Sequence, residues 1–207
     1  MKTILICLLA LCAGIGTVRA QEKKDSAAVT YSLHGNPEVY AFVQKTGVIS
    51  SNVTAYAFMQ VAKHWAVSAY FLIENDKDPN GTGGEGIFGP TYLSHGLEAG
   101  VLVGLETGTK MWRLSPWFLL RSKNDKFVFL AVYETGASGS GFRGEAWQTF
   151  KKFGKWELRG GGIDHIYRVG PAIKLVYKKT YIFSCPYMFS WNKEEGPAAL
   201  IGIGAEL

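Results

Sequence analysis

The chain has 207 residues, a formal net charge of +5, 25 glycines and an aromatic content of 14%. That length suits one domain or one barrel, and the mild basic surplus, gathered on no helix, excludes a nucleic-acid partner from the expectations. Of three cysteines, Cys7 and Cys12 fall in the leader, so Cys185 has no partner for an intramolecular disulfide.

The leader comes first. Lys2 gives a positive start, Ile4 to Ile15 an apolar stretch, and Val18-Arg19-Ala20 the small and aliphatic residues that a signal peptidase reads. Residues 1–20 are therefore expected to be a secretory signal peptide, and 21–207 a single domain. The apolar stretch is short for a spanning helix. Residues 21–28 (QEKKDSAA) are polar.

From there the chain divides into segments of roughly ten residues separated by turn chemistry. The expected strands are Val39–Ile49, Asn52–Lys63, Trp65–Glu74, Thr91–Glu106, Lys110–Ser122, Lys126–Thr135, Gly141–Phe153, Lys155–Gly162, Ile166–Lys178, Tyr181–Trp191 and Pro197–Leu207, with Val29–His34 a weaker twelfth. Most connectors are short. Asn75–Gly89 (NDKDPNGTGGEGIFG) is rich in Gly, Asp and Asn and reads as one long surface loop, and Gly160-Gly161-Gly162 reads as a turn or bulge.

Alternation is the main signal. Leu97, Ala99, Val101, Val103 and Leu105 oppose Glu98, Gly100, Leu102, Gly104 and Glu106. Trp112, Leu114, Pro116, Phe118 and Leu120 oppose Arg113, Ser115, Trp117, Leu119 and Arg121. Val169, Ile173, Leu175 and Tyr177 oppose Arg168, Gly170, Ala172, Lys174 and Val176. Ile201 and Ile203 oppose Leu200, Gly202 and Gly204. A period of two places each set on one face of a pleated sheet. The fold class is all-β: a closed antiparallel up-and-down β-barrel of about 10 strands, with 12 the alternative.

A soluble barrel of lipocalin type is apolar inside, and a membrane barrel inverts this. The polar faces combine glycine with single charges of both signs. Glycine weakens a strand and offers nothing to a solvated surface, but leaves room inside a narrow barrel. Trp65, Trp112, Trp156, Tyr167, Tyr177, Tyr181 and Trp191 stand toward strand ends on the apolar faces, where a bilayer interface favours them. The segment Gly196–Leu207 is itself a strand. In this architecture over residues 39–207 the sequence resembles small bacterial outer-membrane β-barrel proteins as a class, although Leu207 stands where that class tends to have an aromatic residue. The resemblance implies a chain exported to the bacterial outer membrane, in contact with outer-membrane lipid.

Eleven strands do not close such a barrel, and eleven also put the loop Asn75–Gly89 on the same side as the termini. An even count repairs both. The miscount is expected within residues 107–165, at Lys155–Gly162.

The chemistry is sparse. Ser94, His95 and Glu98 invite a lipid-modifying hydrolase, but Ser94 and His95 are adjacent on a strand and point to opposite faces. Asp76, Asp78, Asn80 and Gly81 hint at a calcium loop without its acidic twelfth position. His64 and His165 are expected at turns. No catalytic residue, metal ligand or cofactor is assigned. The constellation that remains is the expected lumen lining: Glu98, Glu106, Arg113, Arg121, Arg143, Glu145, Glu157, Arg159, Arg168 and Lys174. Its cations outnumber its carboxylates. They either pair and plug the lumen or line a pore for small anionic solutes. The expected function is a porin-like channel or structural envelope barrel; the alternatives are a lipid-modifying outer-membrane enzyme and a secreted lipocalin-like barrel for an apolar ligand.

Overall fold

A computed structural model describes residues 33–44, 47–76, 83–107, 112–136, 139–165, 168–191 and 196–205. The expected leader, Asp78, Asn80, Gly81, Tyr167 and Leu207 lie outside the described residues. Twelve strands follow one another: β1 (Leu33–Gln44), β2 (Gly47–Ala62), β3 (Trp65–Asp76), β4 (Gly83–Ser94), β5 (Leu97–Glu106), β6 (Arg113–Arg121), β7 (Phe127–Gly136), β8 (Gly139–Phe153), β9 (Trp156–His165), β10 (Arg168–Tyr177), β11 (Thr180–Ser190) and β12 (Ala198–Ala205). Each pairs antiparallel with its sequence neighbours, and β1 pairs with β12 to close the barrel. The count is the larger of the two even numbers.

The added strand is not where the sequence placed it. Thr91–Glu106 is two strands, broken at His95-Gly96. Gly96 has φ +73°, and a Cβ there would lie 2.4 Å from the Arg121 carbonyl oxygen. A left-handed backbone in so close an approach requires glycine. The supposed loop Asn75–Gly89 is correspondingly short: Asn75 and Asp76 end β3, and Gly83 to Gly89 begin β4. Lys155–Gly162 is a true strand, and Gly160, Gly161 and Gly162 run inside β9 without a register shift against β10. Only residues 33 and 34 of the weak segment Val29–His34 are described, and they open β1.

This repair also settles the parity. The short turns 63–64, 95–96, 122–126, 154–155 and 178–179 share the rim where the described chain begins and ends. The β3–β4 connection lies on the opposite rim.

The wall is apolar outward. Ile73, Phe88, Leu105, Phe150, Ile173 and Ile203 are all at least half exposed. The inward positions of the same strands are filled. Tyr40, Phe42, Trp147, Ile163, Tyr181, Phe183, Met188 and Leu200 form one buried cluster, and Ile87, Leu102, Trp117 and Leu119 a second. Gly202 and Gly204 serve the first: a Cβ on either would fall within about 2.5 Å of the Phe183 or Tyr181 ring. Here the inward glycines make room for aromatic rings.

Trp65, Trp112, Trp156, Tyr177 and Trp191 are exposed on the outer wall, but Tyr181 is buried at 4%. It shares the inward face of β11 with Phe183 and Cys185, and its hydroxyl donates to Glu38. A bulge between Cys185 and Met188 then exchanges the faces, sending Tyr187 outward.

Candidate functional site

The candidate site is the barrel interior. A cavity of about 220 Å³ lies between the two apolar clusters, lined among others by Tyr70, Glu134, Arg143, Lys174 and Tyr181. Hydroxyls crowd one wall. The Tyr56 hydroxyl is 3.0 Å from Ser68 Oγ, which lies 2.5 Å from Thr91 Oγ1.

Charged side chains bridge the space. Glu134 on β7 is 3% exposed and receives Arg113 on one oxygen and Arg143 on the other. Arg113 also reaches Glu85 and Glu106, each at 3.2 Å. Arg143 continues across the barrel to the Tyr70 hydroxyl at 2.8 Å. This network spans β3 to β8 and pairs charges that would be costly if left alone inside.

The remaining candidates form smaller sets. Lys174 stands 3.9 Å from Glu145 and over the rings of Trp147 and Tyr181, at 4.3 and 4.5 Å. Glu145 accepts from the Trp147 indole at 2.7 Å. Arg159 meets Glu157 at 2.9 Å, and Arg121 meets Glu98 at 3.4 Å. The Arg168 guanidinium lies 5.6 Å from the centroid of the Phe42 ring. The geometry therefore distributes the ten candidates among one extended network and several local pairs.

Sequence reasoning missed three carboxylates at the centre of this arrangement. Glu85 was hidden in the supposed loop, and Glu38 preceded the expected start of its strand. Glu134 lies in Phe127–Gly136 (FVFLAVYETG), which is apolar on both faces. With these three included, the cations no longer outnumber the carboxylates. The parity of Glu134 with Val128, Leu130 and Val132 was the available signal, but without an amphipathic contrast it could not be read.

His165 is also displaced from expectation. It ends β9 with its ring inside, 4.9 Å from the Phe42 ring and 3.3 Å from the Tyr40 hydroxyl. His64 lies at the β2–β3 turn, where Nδ1 is 3.1 Å from the Leu93 carbonyl oxygen. Ser94 and His95 are exposed at a rim, whereas Glu98 belongs to the inward pair with Arg121. These three residues form no relay. Among the described residues no cluster of three His, Cys, Asp or Glu side chains could hold a metal ion.

No family model matches the chain. No curated protein matches it. Among solved structures it is similar to a triple mutant of Rhodopseudomonas blastica porin, with 11% identity and a TM-score of 0.33, over 86% of this chain and 100% of that one.

Proposed function

We propose that this protein is a porin-like β-barrel of the bacterial outer membrane, exported by its leader, with a charged and constricted lumen. The observation that carries the reading is the inverted polarity of the wall. Phe88, Leu105, Leu120, Tyr133 and Ile173 face outward on β4, β5, β6, β7 and β10, whose inward positions hold Glu85, Glu98, Arg113, Glu134 and Lys174. Such a wall is matched to hydrocarbon and mismatched to water. It also weighs against a secreted lipocalin-like barrel, whose polarity is the reverse.

The lumen is braced. Arg113, Glu134, Arg143 and Tyr70 cross it, and aromatic rings fill the side beside β1 and β8 to β12. Twelve strands give more room than ten, yet side chains occupy much of it. The proposal is therefore a barrel of low conductance. Small anionic solutes remain its proposed cargo, narrowed by the carboxylates that face each inner cation to those that displace an internal partner. Among the described residues, no internal relay of nucleophile and base favours the enzymatic alternative.

Fractionation of the expressed protein, followed by gel migration with and without boiling, tests the location. The folded barrel is expected in the outer membrane and should shift on heating; a soluble, detergent-free protein would refute the reading. Planar-bilayer recording then tests the lumen, with small, infrequent current steps expected.

A further inference from the structure

The rim where the described chain begins and ends is lined with exposed cations. Lys63 stands at the β2–β3 turn, Lys123 and Lys126 at β6–β7, Lys155 at β8–β9, and Lys178 and Lys179 at β10–β11. The fifth turn of this rim, between β4 and β5, has exposed His95. Asp125 is the carboxylate within these turns. Nearby Glu98 and Glu157 are occupied by Arg121, and by Lys152 and Arg159. Lysines thus stand at four of the five described turns of this rim, on well-separated sides of the wall.

Immediately inside this collar lie paired aromatic rings on the outer surface. Trp65 packs on Tyr92 with centroids 5.5 Å apart, and Trp156 on Tyr177 at 4.6 Å. In chain order Trp156 follows Lys155, and Tyr177 precedes Lys178, whose ammonium lies 5.4 Å from the Tyr177 ring. Moving from rim to mid-wall, the sequence of chemistry is lysine, amphipathic ring, aliphatic side chain. That order reproduces the depth profile of one leaflet: phosphate, interface, acyl chain.

We infer that this rim is a recognition surface for anionic phospholipid headgroups, with the lysines binding the phosphodiester of the leaflet at the short-turn end. The inference rests on the membrane reading above and adds a preferred lipid to it. A ring of charge fits headgroups that surround the wall on all sides; a soluble acidic partner docks on one patch. The amines supply point charges for phosphate, and the rings fix the depth at which they meet it.

The test uses the full mature chain folded into phosphatidylcholine vesicles doped with spin-labelled phosphatidylglycerol or spin-labelled phosphatidylcholine. The relative association constant of the two labels with the protein is read from the motionally restricted component of the spectrum. A preference for phosphatidylglycerol of about fivefold or more is expected, on the scale of one lysine at a charged surface. It should fall toward unity in high salt, and in a variant with Lys63, Lys123, Lys126, Lys155, Lys178 and Lys179 each changed to Gln. Retained heat-modifiable migration confirms that the variant is folded, and the salt titration of the unmodified protein stands independently of it. Equal association of the two labels, or a preference untouched by both salt and the variant, overturns the inference and leaves the membrane reading intact. Absence of any restricted lipid component overturns both. A protein without lipid preference that instead retains soluble polyglutamate or an oligonucleotide would assign the rim to a macromolecular polyanion and overturn the lipid assignment.

Discussion

The Arg143 guanidinium on β8 donates a 2.8 Å hydrogen bond to the Tyr70 hydroxyl on β3, five strands away around the wall. Sheet pairing cannot make this contact; it is a strut through the interior. Its other end is anchored because Arg143 also binds Glu134, which in turn binds Arg113. Removing Glu134 leaves two guanidinium groups without their shared carboxylate. Glu134→Gln should destabilise the folded barrel by about 3–5 kcal/mol, the scale for breaking a buried ion pair. Tyr70→Phe removes one neutral partner of a charged donor and should cost about 1–3 kcal/mol. Denaturant titration of the heat-modifiable band checks both values, and the Glu134 change should also raise the conductance of the barrel.

Gly202 supplies a packing test. A Cβ at this position would come within 2.4 Å of the Phe183 ring. Gly202→Ala should therefore destabilise by about 1–3 kcal/mol through overpacking. Phe183→Leu in the same chain should recover part of that loss, because it withdraws the ring that the methyl would strike. Equal effects of Gly202→Ala in both backgrounds would separate the glycine from the ring.

Two prolines mark a seam in the wall. Pro90 on β4 and Pro116 on β6 flank Val101 of β5, and neither can donate to a ladder. The β4–β5 pairing passes from Phe88 to Thr91 without Gly89 and Pro90, and the β6–β7 pairing from Leu114 to Trp117 without Ser115 and Pro116. Amide hydrogens of Val101, Leu102 and Tyr133 should exchange faster than those of the unbroken β1–β2 register between Glu38 and Phe42. Pro90→Val should slow exchange at its neighbours on β5.

Cys185 is fully buried, with its sulfur 3.5 Å from the Tyr187 carbonyl oxygen. It should resist a maleimide reagent while the barrel is folded and react promptly on unfolding. Mass spectrometry of the labelled fraction at increasing denaturant would then trace the same transition as the gel shift. Rapid labelling of the native form would contradict the burial.

Much of the wall was legible because certain strands set a clean apolar face against glycine and charge. On β5, β6, β10 and β12 the side that bears Glu98, Arg113, Lys174 and Gly202 is the inward side. Three kinds of feature were not legible. The segment beginning at Gly83 has the composition of a turn, yet its glycines belong to a strand whose backbone is approached closely: a Cβ on Gly89 would sit 2.0 Å from the Val101 carbonyl oxygen. In β7 both faces are apolar, so Glu134 gave no contrast. In β11 the bulge before Met188 changes the face without changing the composition. Each case depends on a neighbouring strand, and single-chain alternation carries no information about neighbours.

The ladder between β1 and β12, in which Glu38 faces Gly204 and Val43 faces Ala199, joins the far ends of the described chain. Every other ladder links consecutive strands. A growing sheet can therefore zip from hairpin to hairpin, but the last seam must wait for β12. Until then β1 offers a row of unsatisfied amides and carbonyls, a template for any passing strand. The decisive step in the protein's assembly is thus a single long-range meeting of its two edges, and a chain stopped before β12 would be condemned to remain an open, adhesive ribbon.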